Sequence, residues 1–219
     1  MIAHSKLPFA GLGNKLFSWA AGVIFSSIHK CPHFVTGMTK LHVGPILRGE
    51  ISYRFYIGYF KSERLYLPLR YTFLKRVILL QVAANNFTEV DACYVFKEIP
   101  HWSNSFHTLR DFREMIINRF WDSLTIRIQQ KIANTAVPIL SVHIRMGDFR
   151  PLGLNENFAK VGAVRTPNQY FIDTVQKIRN FVGADIPVTV FSDGLDNELD
   201  WILSMPNVNR AATDFDIVH

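Results

Sequence analysis

Apolar positions in this chain follow both strand and helix periodicities. Near the start, residues 2–7 predict a short strand, and the apolar stretch that follows predicts a helix ending near Ile28. Tyr53, Phe55 and Ile57 alternate as in a half-buried strand. A long amphipathic helix is predicted where apolar residues recur at helical spacing between charged ones: Leu109, Phe112, Ile116, Phe120 and Leu124.

The second half of the chain predicts a βαβ unit. Residues 137–144 predict a strand in which Ile139, Leu140 and Val142 are buried on both faces of a parallel sheet. A helix is expected to start with Thr166 as its cap and Pro167 in its first turn, and a second strand to span 188–191. The helix is expected to pack through one stripe: Tyr170, Phe171, Thr174, Val175, Ile178 and Phe181. Such a crossover is right-handed and makes the two strands parallel.

Charged residues follow the first strand of this unit. Arg145 and Asp148 are expected past its carboxyl end, because burying their charges inside the sheet is costly, and that edge is where open α/β sheets bind ligands. The guanidinium of Arg145 matches phosphate oxygens bidentately, and Gly147 lets the backbone approach the same anion. In the alternative interpretation, Arg145 and Asp148 pair to close a turn, and His143 is a core histidine.

A second candidate lies near the start, in Gly11-Leu12-Gly13-Asn14. This glycine turn leads into the first predicted helix, where free backbone N–H groups attract anions and Asn14 is suited to be the N-cap. On its own the motif does not separate a sugar-nucleotide loop from an ordinary turn, and it lacks the third glycine of the dinucleotide fingerprint.

Taken together, these stretches resemble the α-1,2-fucosyltransferase family. The family has a Gly-Gly-Leu-Gly-Asn-Gln signature and later a His-x-Arg-Arg-Gly-Asp-Tyr signature, which match the glycine turn and residues 143–149. A third match is Val190-Phe191-Ser192-Asp193, which resembles a Phe-Ser-Asp-Asp segment. The chain departs from these signatures at three positions: Ala10, Met146 and Gly194.

The resemblance implies an α/β, GT-B-like fold of two Rossmann-like halves. Residues 1–135 would form the acceptor-side domain and residues 136–219 the donor-binding βαβ domain, with the boundary between 133 and 138. The family continues after residues 214–219 into a further strand and a serine-rich donor motif. The second half is therefore expected to be incomplete.

The activity implied is transfer of fucose from GDP-fucose to a galactoside-type hydroxyl of a glycan, with inversion. Arg145 would stabilise the departing diphosphate, and Asp148 would position Arg145 or accept the acceptor's proton. His143 and Asp193 would contact the guanine side, or else be a core histidine and a strand-end cap. Ser192 would bind substrate, and Gly13, Asn14 and Gly147 would lie near fucose or phosphate. The paired carboxylates of a metal site are not seen, so neither a metal nor another cofactor is expected.

Composition narrows the classes of protein to which the chain can belong. The chain has 219 residues, 48% hydrophobic, which indicates a folded globular protein. Cys31 and Cys93 are too few for a disulfide framework or a zinc cluster and are expected to be reduced and buried. Apolar runs fall short of the roughly 18 residues that span a bilayer. A secretory leader is also not expected, so the predicted location is the cytoplasm. Peripheral contact with a membrane surface stays open.

The formal net charge is +6, and its densest source is the segment 48–76, where basic side chains alternate with aromatic ones. Single-stranded nucleic acid binding uses such a pattern. Core packing explains the aromatic residues more simply, and positive potential also serves an enzyme that handles a diphosphate, so nucleic acid is not the expected partner. Arg165, in the loop 150–166, is expected to be exposed without a partner, or else to reach substrate. A non-catalytic GDP-sugar-binding remnant stays open as the alternative function.

Overall fold

The computed structural model describes residues 1–39, 47, 56–61, 67–71, 73–79, 91–97, 107–135, 137–147, 149–157, 160–161 and 164–211. The fold is α/β with parallel sheets. The chain divides into two compact units, Met1–His42 with Arg54–Asn134, and Val43–Tyr53 with Thr135–His219.

The first unit contains a four-stranded parallel sheet in the order β2-β1-β4-β3. Its strands are β1 (Ile2–Lys6), β2 (His33–Thr36), β3 (Lys75–Leu79) and β4 (Ala92–Phe96). The helices are α1 (Leu12–Ile28), α2 (His107–Arg110), α3 (Arg113–Ser123) and α4 (Ile126–Ala133), with a short 3-10 helix at Leu69–Tyr71. The strand and helix predicted at the start of the chain are confirmed.

Both faces of this first sheet are covered, as is usual for parallel strands. Phe25 of α1 packs with Tyr94 and Phe96 on one face. On the other face, Phe34 and Val95 pack beneath Leu67, Tyr71 and Leu74. Cys93 is buried and Cys31 half-buried, both are free thiols, and burial raises their pKa.

The sequence prediction needs correction in two places of the first unit. The long helix predicted over 109–124 is interrupted by a turn at residues 111–112, so α2 and α3 are separate helices. Ile57 lies in a turn and is 61% exposed, so it does not belong to a half-buried strand, while Tyr53 and Phe55 lie outside the described residues. Among the aromatic residues of the basic segment, Tyr56 and Phe60 are buried as expected, but Phe73 is 89% exposed.

The second unit has a three-stranded parallel sheet in the order β5-β6-β7. The elements are β5 (Leu140–Ile144), α5 (Asn168–Val182), β6 (Val188–Ser192), α6 (Asp196–Leu203) and β7 (Val208–Arg210). The predicted β5–α5–β6 unit with parallel strands is confirmed. Its core contains Ile144, Met146, Val175, Val188, Val190, Leu199, Ile202 and Val208.

Details of this unit differ from the prediction. β5 is an edge strand of the described sheet, and its residues before the buried Ile144 alternate between half-buried and exposed, so it is not buried on both faces. Ile139 before it is 73% exposed. Helix α5 begins at Asn168 with Pro167 at the N-cap, not Thr166. The predicted packing stripe is right at its centre, where Val175 is buried, but Phe181 is 92% exposed.

Buried Arg179 closes the amino edge of this sheet. Its guanidinium donates to the carbonyl oxygens of Ile186 at 3.1 Å, Pro206 at 2.6 Å and Asn207 at 3.3 Å. The chain segments entering β6 and β7 are therefore tied to α5 by one side chain. An arginine on the packing face was not predicted, because sequence periodicity favours apolar residues there.

Candidate functional site

The carboxyl ends of β5 and β6 lie side by side in the second unit. Ile144, the last residue of β5, is paired with Ser192, the last residue of β6. Arg145 and Asp193 are therefore the first residues past two neighbouring parallel strands. The prediction that the fold brings them to one edge of the sheet is confirmed, and this is the edge where open α/β sheets place ligands.

Asp193 joins the two strand ends. Its Oδ1 accepts the backbone N–H of Met146 at 2.7 Å. Its Oδ2 lies so close to Gly147 that a Cβ there would be 2.7 Å from it. Position 147 therefore has to be glycine for the carboxylate to keep this place. Gly147 thus has a structural role in addition to the predicted one, which is to let the backbone approach an anion.

Arg145 is exposed, and its guanidinium carbon lies 4.9 Å from the ring centroid of Phe149. A planar guanidinium stacked on an aromatic ring is restrained in orientation while its N–H donors stay directed along the plane. The backbone N–H of Phe149 donates to the carbonyl of Met146 at 3.2 Å, which closes the turn that carries the stacking partner. Asp148 lies outside the described residues.

Two more predicted residues have distinct environments. His143 is exposed, which excludes the interpretation of it as a core histidine. Ser192 is buried, and its Oγ accepts the backbone N–H of Gly194 at 3.0 Å. The hydroxyl of Ser192 therefore shapes the turn after β6.

Arg210, at the end of β7, belongs to the same edge and was not predicted from the sequence. Its Nη2 donates to the carbonyls of Ser192 at 3.2 Å and Gly194 at 2.7 Å, and its Nη1 pairs with Asp196. The guanidinium of Arg210 thus stabilises the turn between β6 and α6. The surrounding sequence has no motif, so only the neighbouring position of β7 in the sheet reveals this role.

Arg165 is not an unpartnered loop arginine. Its Nε donates to the carbonyl of Phe149 at 2.8 Å, and its Nη1 lies 3.0 Å from Glu198 Oε1 on α6. The Leu195 N–H, and then Arg165, hold the pKa of Glu198 below its usual range. Arg165 therefore connects the end of its loop both to the Arg145 turn and to α6.

The loop itself is braced at its start. The guanidinium of Arg150 forms two bonds with the Glu156 carboxylate, at 2.5 and 2.6 Å, and the N–H of Gly153 donates to the same group at 2.8 Å. These bonds lower the pKa of Glu156 to about 2. A parallel bridge between Arg150 and Val164 brings the two ends of the loop together.

The glycine turn of the first unit is organised differently from the prediction. The N-cap of α1 is Gly11, so Asn14 lies inside the first turn and is not the cap. A Cβ at Gly13 would meet no heavy atom of the described chain within 4 Å. Packing within these residues therefore does not demand glycine at position 13.

Lys15, which follows the motif, is fully buried and was not predicted to matter. Its Nζ donates to the carbonyls of Gly37 at 3.1 Å and Met38 at 3.3 Å and lies 5.2 Å from the ring centroid of Tyr56. The hydroxyl of Tyr56 accepts the N–H of Leu12 at 3.1 Å. Lys15 thus links the first turn of α1 to the chain after β2, and Tyr56 contacts both Lys15 and Leu12.

Ser5 and His33 resemble a nucleophile and base only in distance. The Oγ of Ser5 donates to the carbonyl of Ser18 at 2.8 Å and lies 2.9 Å from His33 Nε2. Since the single hydroxyl hydrogen is directed to Ser18, His33 Nε2–H is the donor to Ser5. A catalytic serine needs the opposite polarity, so this pair is structural.

Groups of three or more His, Cys, Asp or Glu side chains able to hold a metal ion are absent from the described residues. Within the same residues, the helices fall short of the length and apolar character needed to cross a membrane.

No protein-family model matches this chain, and neither a curated protein nor a solved structure is significantly similar to it.

Proposed function

We propose that the chain is a glycosyltransferase that binds GDP-fucose at the carboxyl edge of its second sheet and transfers fucose to a galactoside-type hydroxyl. The two units would be the Rossmann-like halves of a GT-B-like enzyme. The observation that supports this most is the adjacent position of Arg145 and Asp193 past two paired parallel strands. The motifs around both residues are those on which the family resemblance rests.

Arg145 is proposed to stabilise the departing GDP. Transfer from a nucleotide sugar passes through an oxocarbenium-like transition state, while negative charge grows on the diphosphate. An exposed guanidinium held on the ring of Phe149 is preorganised to meet that charge. Removing one such donor typically lowers a rate by about 10²–10³-fold.

Asp193 is proposed to read guanine. A carboxylate accepts at both oxygens, so Oδ1 can hold Met146 N–H while Oδ2 accepts from the edge of the base. His143 would contact the nucleotide from its exposed position. The buried Ser192 hydroxyl would act indirectly, by shaping the turn that carries Asp193.

Asp148, Gly13 and Asn14 have further roles in the proposed reaction. Asp148 would position Arg145 or accept the proton of the acceptor hydroxyl. Gly13 and Asn14 would contact fucose or phosphate from the first turn of α1, where backbone N–H groups favour an anion. The reaction assigned to these residues requires no metal ligand set.

The test is calorimetric titration of the 219-residue chain with GDP, GDP-fucose and ADP. Arg145→Ala is compared with Arg70→Ala, a matched control, because Arg70 also stacks on a ring, that of Tyr71, at 4.7 Å. We expect Arg145→Ala to weaken GDP binding by about 10- to 100-fold and Arg70→Ala to leave it unchanged.

Equal effects of the two variants would refute the site assignment, and ADP binding as tightly as GDP would refute the role of Asp193. Transfer of fucose to lactose tests the reaction itself, and the amount of GDP released measures it. Guanine-selective binding without transfer to any galactoside would support the alternative function, a GDP-sugar-binding protein.

A further inference from the structure

A cavity of about 300 Å³ lies within the first unit. Its walls come from α1, β2, the chain after β2, the segment 56–61 and the end of α3. The lining residues are Trp19, Val23, His33, Val35, Met38, Phe60, Lys61, Arg119, Asp122 and Ser123. Its volume is at the lower end of the range for small-molecule sites.

The outer wall is fixed by backbone bonds. The N–H of Lys61 donates to the carbonyl of Ser123 at 2.8 Å, and the N–H of Thr125 donates to the carbonyl of Tyr59 at 2.9 Å. Between them, Phe60 and Leu124 form an antiparallel bridge. The cavity is therefore formed before any ligand arrives, which lowers the entropic cost of binding.

The buried side chains on the inner side of the cavity are mostly apolar and well packed. Val23, Met38 and Phe60 are 5% exposed or less. Trp19 is equally buried and meets Phe120 edge to face at 5.9 Å. His33 Nε2 is already committed to Ser5. The floor thus suits an aromatic ring or a branched aliphatic chain.

The rim is charged. Lys61, Arg119 and Asp122 are exposed at the mouth, and within the part of the chain that the structure describes none of the three forms an ion pair. Two cations and one carboxylate leave the mouth with a positive excess. An anion would gain from that excess without displacing an existing ion pair.

From these observations we infer that the cavity is a binding site for a small amphiphilic anion. Its ring or branched chain lies against Trp19, Val23 and Phe60, and its carboxylate or phosphate lies between Lys61 and Arg119. This site goes beyond the proposed donor site and does not depend on it, since all its lining residues belong to the first unit and Arg145 belongs to the second.

The test uses the full chain and four probes: phenyl phosphate, phenylacetate, the neutral benzyl alcohol and inorganic phosphate. Binding is followed through the indole N–H resonance of Trp19 in ¹⁵N NMR spectra, with Trp201 of the second unit as the internal control. We expect both aromatic anions to shift the Trp19 signal saturably and to bind about tenfold more tightly than benzyl alcohol. Inorganic phosphate should leave the signal in place, because it cannot use the floor.

Charge and shape are then varied separately. Lys61→Gln and Arg119→Gln should each weaken binding of the aromatic anions by about fivefold or more, whereas Arg113→Gln, also on α3 and exposed, should not. Val23→Phe should fill the cavity and abolish binding, with folding checked by circular dichroism. Arg145→Ala should leave binding of these probes unchanged.

Several outcomes would overturn the inference. One is the absence of saturable shifts at Trp19. Others are equal affinity for benzyl alcohol and phenylacetate, or Lys61→Gln and Arg119→Gln behaving like Arg113→Gln. Because the two charge variants lie on the exposed rim, they remain informative even if Val23→Phe does not fold. A preference between phenyl phosphate and phenylacetate would identify the anionic group.

Discussion

Met146 packs against Gly194 at the carboxyl edge of the second sheet. A Cβ at position 194 would lie 2.7 Å from Met146 Cγ and 3.1 Å from Met146 Cβ. These are two of the three positions at which the chain departs from the fucosyltransferase signatures, which have an arginine and an aspartate there. The two departures are in contact, and a buried apolar side chain with an adjacent glycine fills the place.

The contact predicts a coupled pair of substitutions. Gly194→Ala should lower the free energy of unfolding by about 1–3 kcal/mol, because the added methyl forces Met146 out of its place. Met146→Ala alone should cost about 2–4 kcal/mol through the cavity it leaves. The double variant should lose less than the sum, since removing Met146 Cγ relieves the shortest contact of the methyl group at 194. Urea unfolding of the four proteins measures the coupling, and simple additivity would contradict the described contact.

Two glycines of α1 predict opposite effects of the same substitution. Gly13→Ala should raise the free energy of unfolding by up to about 1 kcal/mol, because alanine favours the helix and the Cβ enters open space. Gly22→Ala should lower it by about 2–3 kcal/mol, because its Cβ would lie 2.5 Å from His33 Nε2 and closer still to Ser5 Oγ. Thermal and urea unfolding compare the two, and equal effects would show that this packing of α1 on β1 is wrong.

The bonds of Arg179 predict an effect on the stability of the second unit. Arg179→Ala should lower the free energy of unfolding by about 1.5–3 kcal/mol, because a buried guanidinium and its bonds to the carbonyls of Ile186, Pro206 and Asn207 are removed. Lys177→Ala, on the exposed side of the same helix, should change it by less than about 0.5 kcal/mol. Urea midpoints at constant m value report the difference. A loss below about 1 kcal/mol would mean that the carbonyls find other donors.

His4 predicts a dependence of stability on pH. Burial first, and then the charges of Arg76 and Lys6, lower its pKa to about 4 from the usual 6.5. The unfolded chain therefore binds a proton between pH 6.5 and about 4 that the folded chain does not. The contribution of His4 is complete above pH 6.5 and is lost as the pH falls towards 4, by at most about 3 kcal/mol.

His4→Gln removes this titration while keeping a polar group near Thr36, to which His4 Nε2 is bonded at 2.9 Å. Its stability should fall less steeply over that pH range than the stability of the unchanged chain. His107→Gln, at an exposed position, is the matched control and should follow the unchanged chain. Parallel curves for all three proteins would mean that His4 is not buried in the neutral form.

Much of the second unit could be predicted from sequence, for local reasons. An apolar run ending in charged residues defines β5 and puts Arg145 past its end, and helical spacing followed by another apolar run defines α5 and β6. Asp193 was predicted to lie at the same edge because parallel strands end together. Its bond to Met146 could not be predicted, since it joins residues 47 positions apart.

The remaining polar contacts depend on sheet order and packing, which periodicity does not contain. Arg210 reaches the turn after β6 only because β7 is the neighbour of β6, and Arg165 pairs with Glu198 only because α6 follows that turn. The burial of Lys15 was also unpredictable, since charged residues are expected at the surface. Its carbonyl partners lie more than 20 residues away, at Gly37 and Met38.

The closed base of the loop between Arg150 and Arg165 has a consequence for how this protein can diverge. Because Val164 pairs with Arg150 and Arg165 holds Phe149, the ends of the loop stay fixed whatever lies between them. Doubling the length of such a loop costs only about 0.6 kcal/mol in closure entropy. Insertions or replacements here would therefore leave the Arg145 turn in place, so this segment can change in length and sequence without rebuilding the sheet.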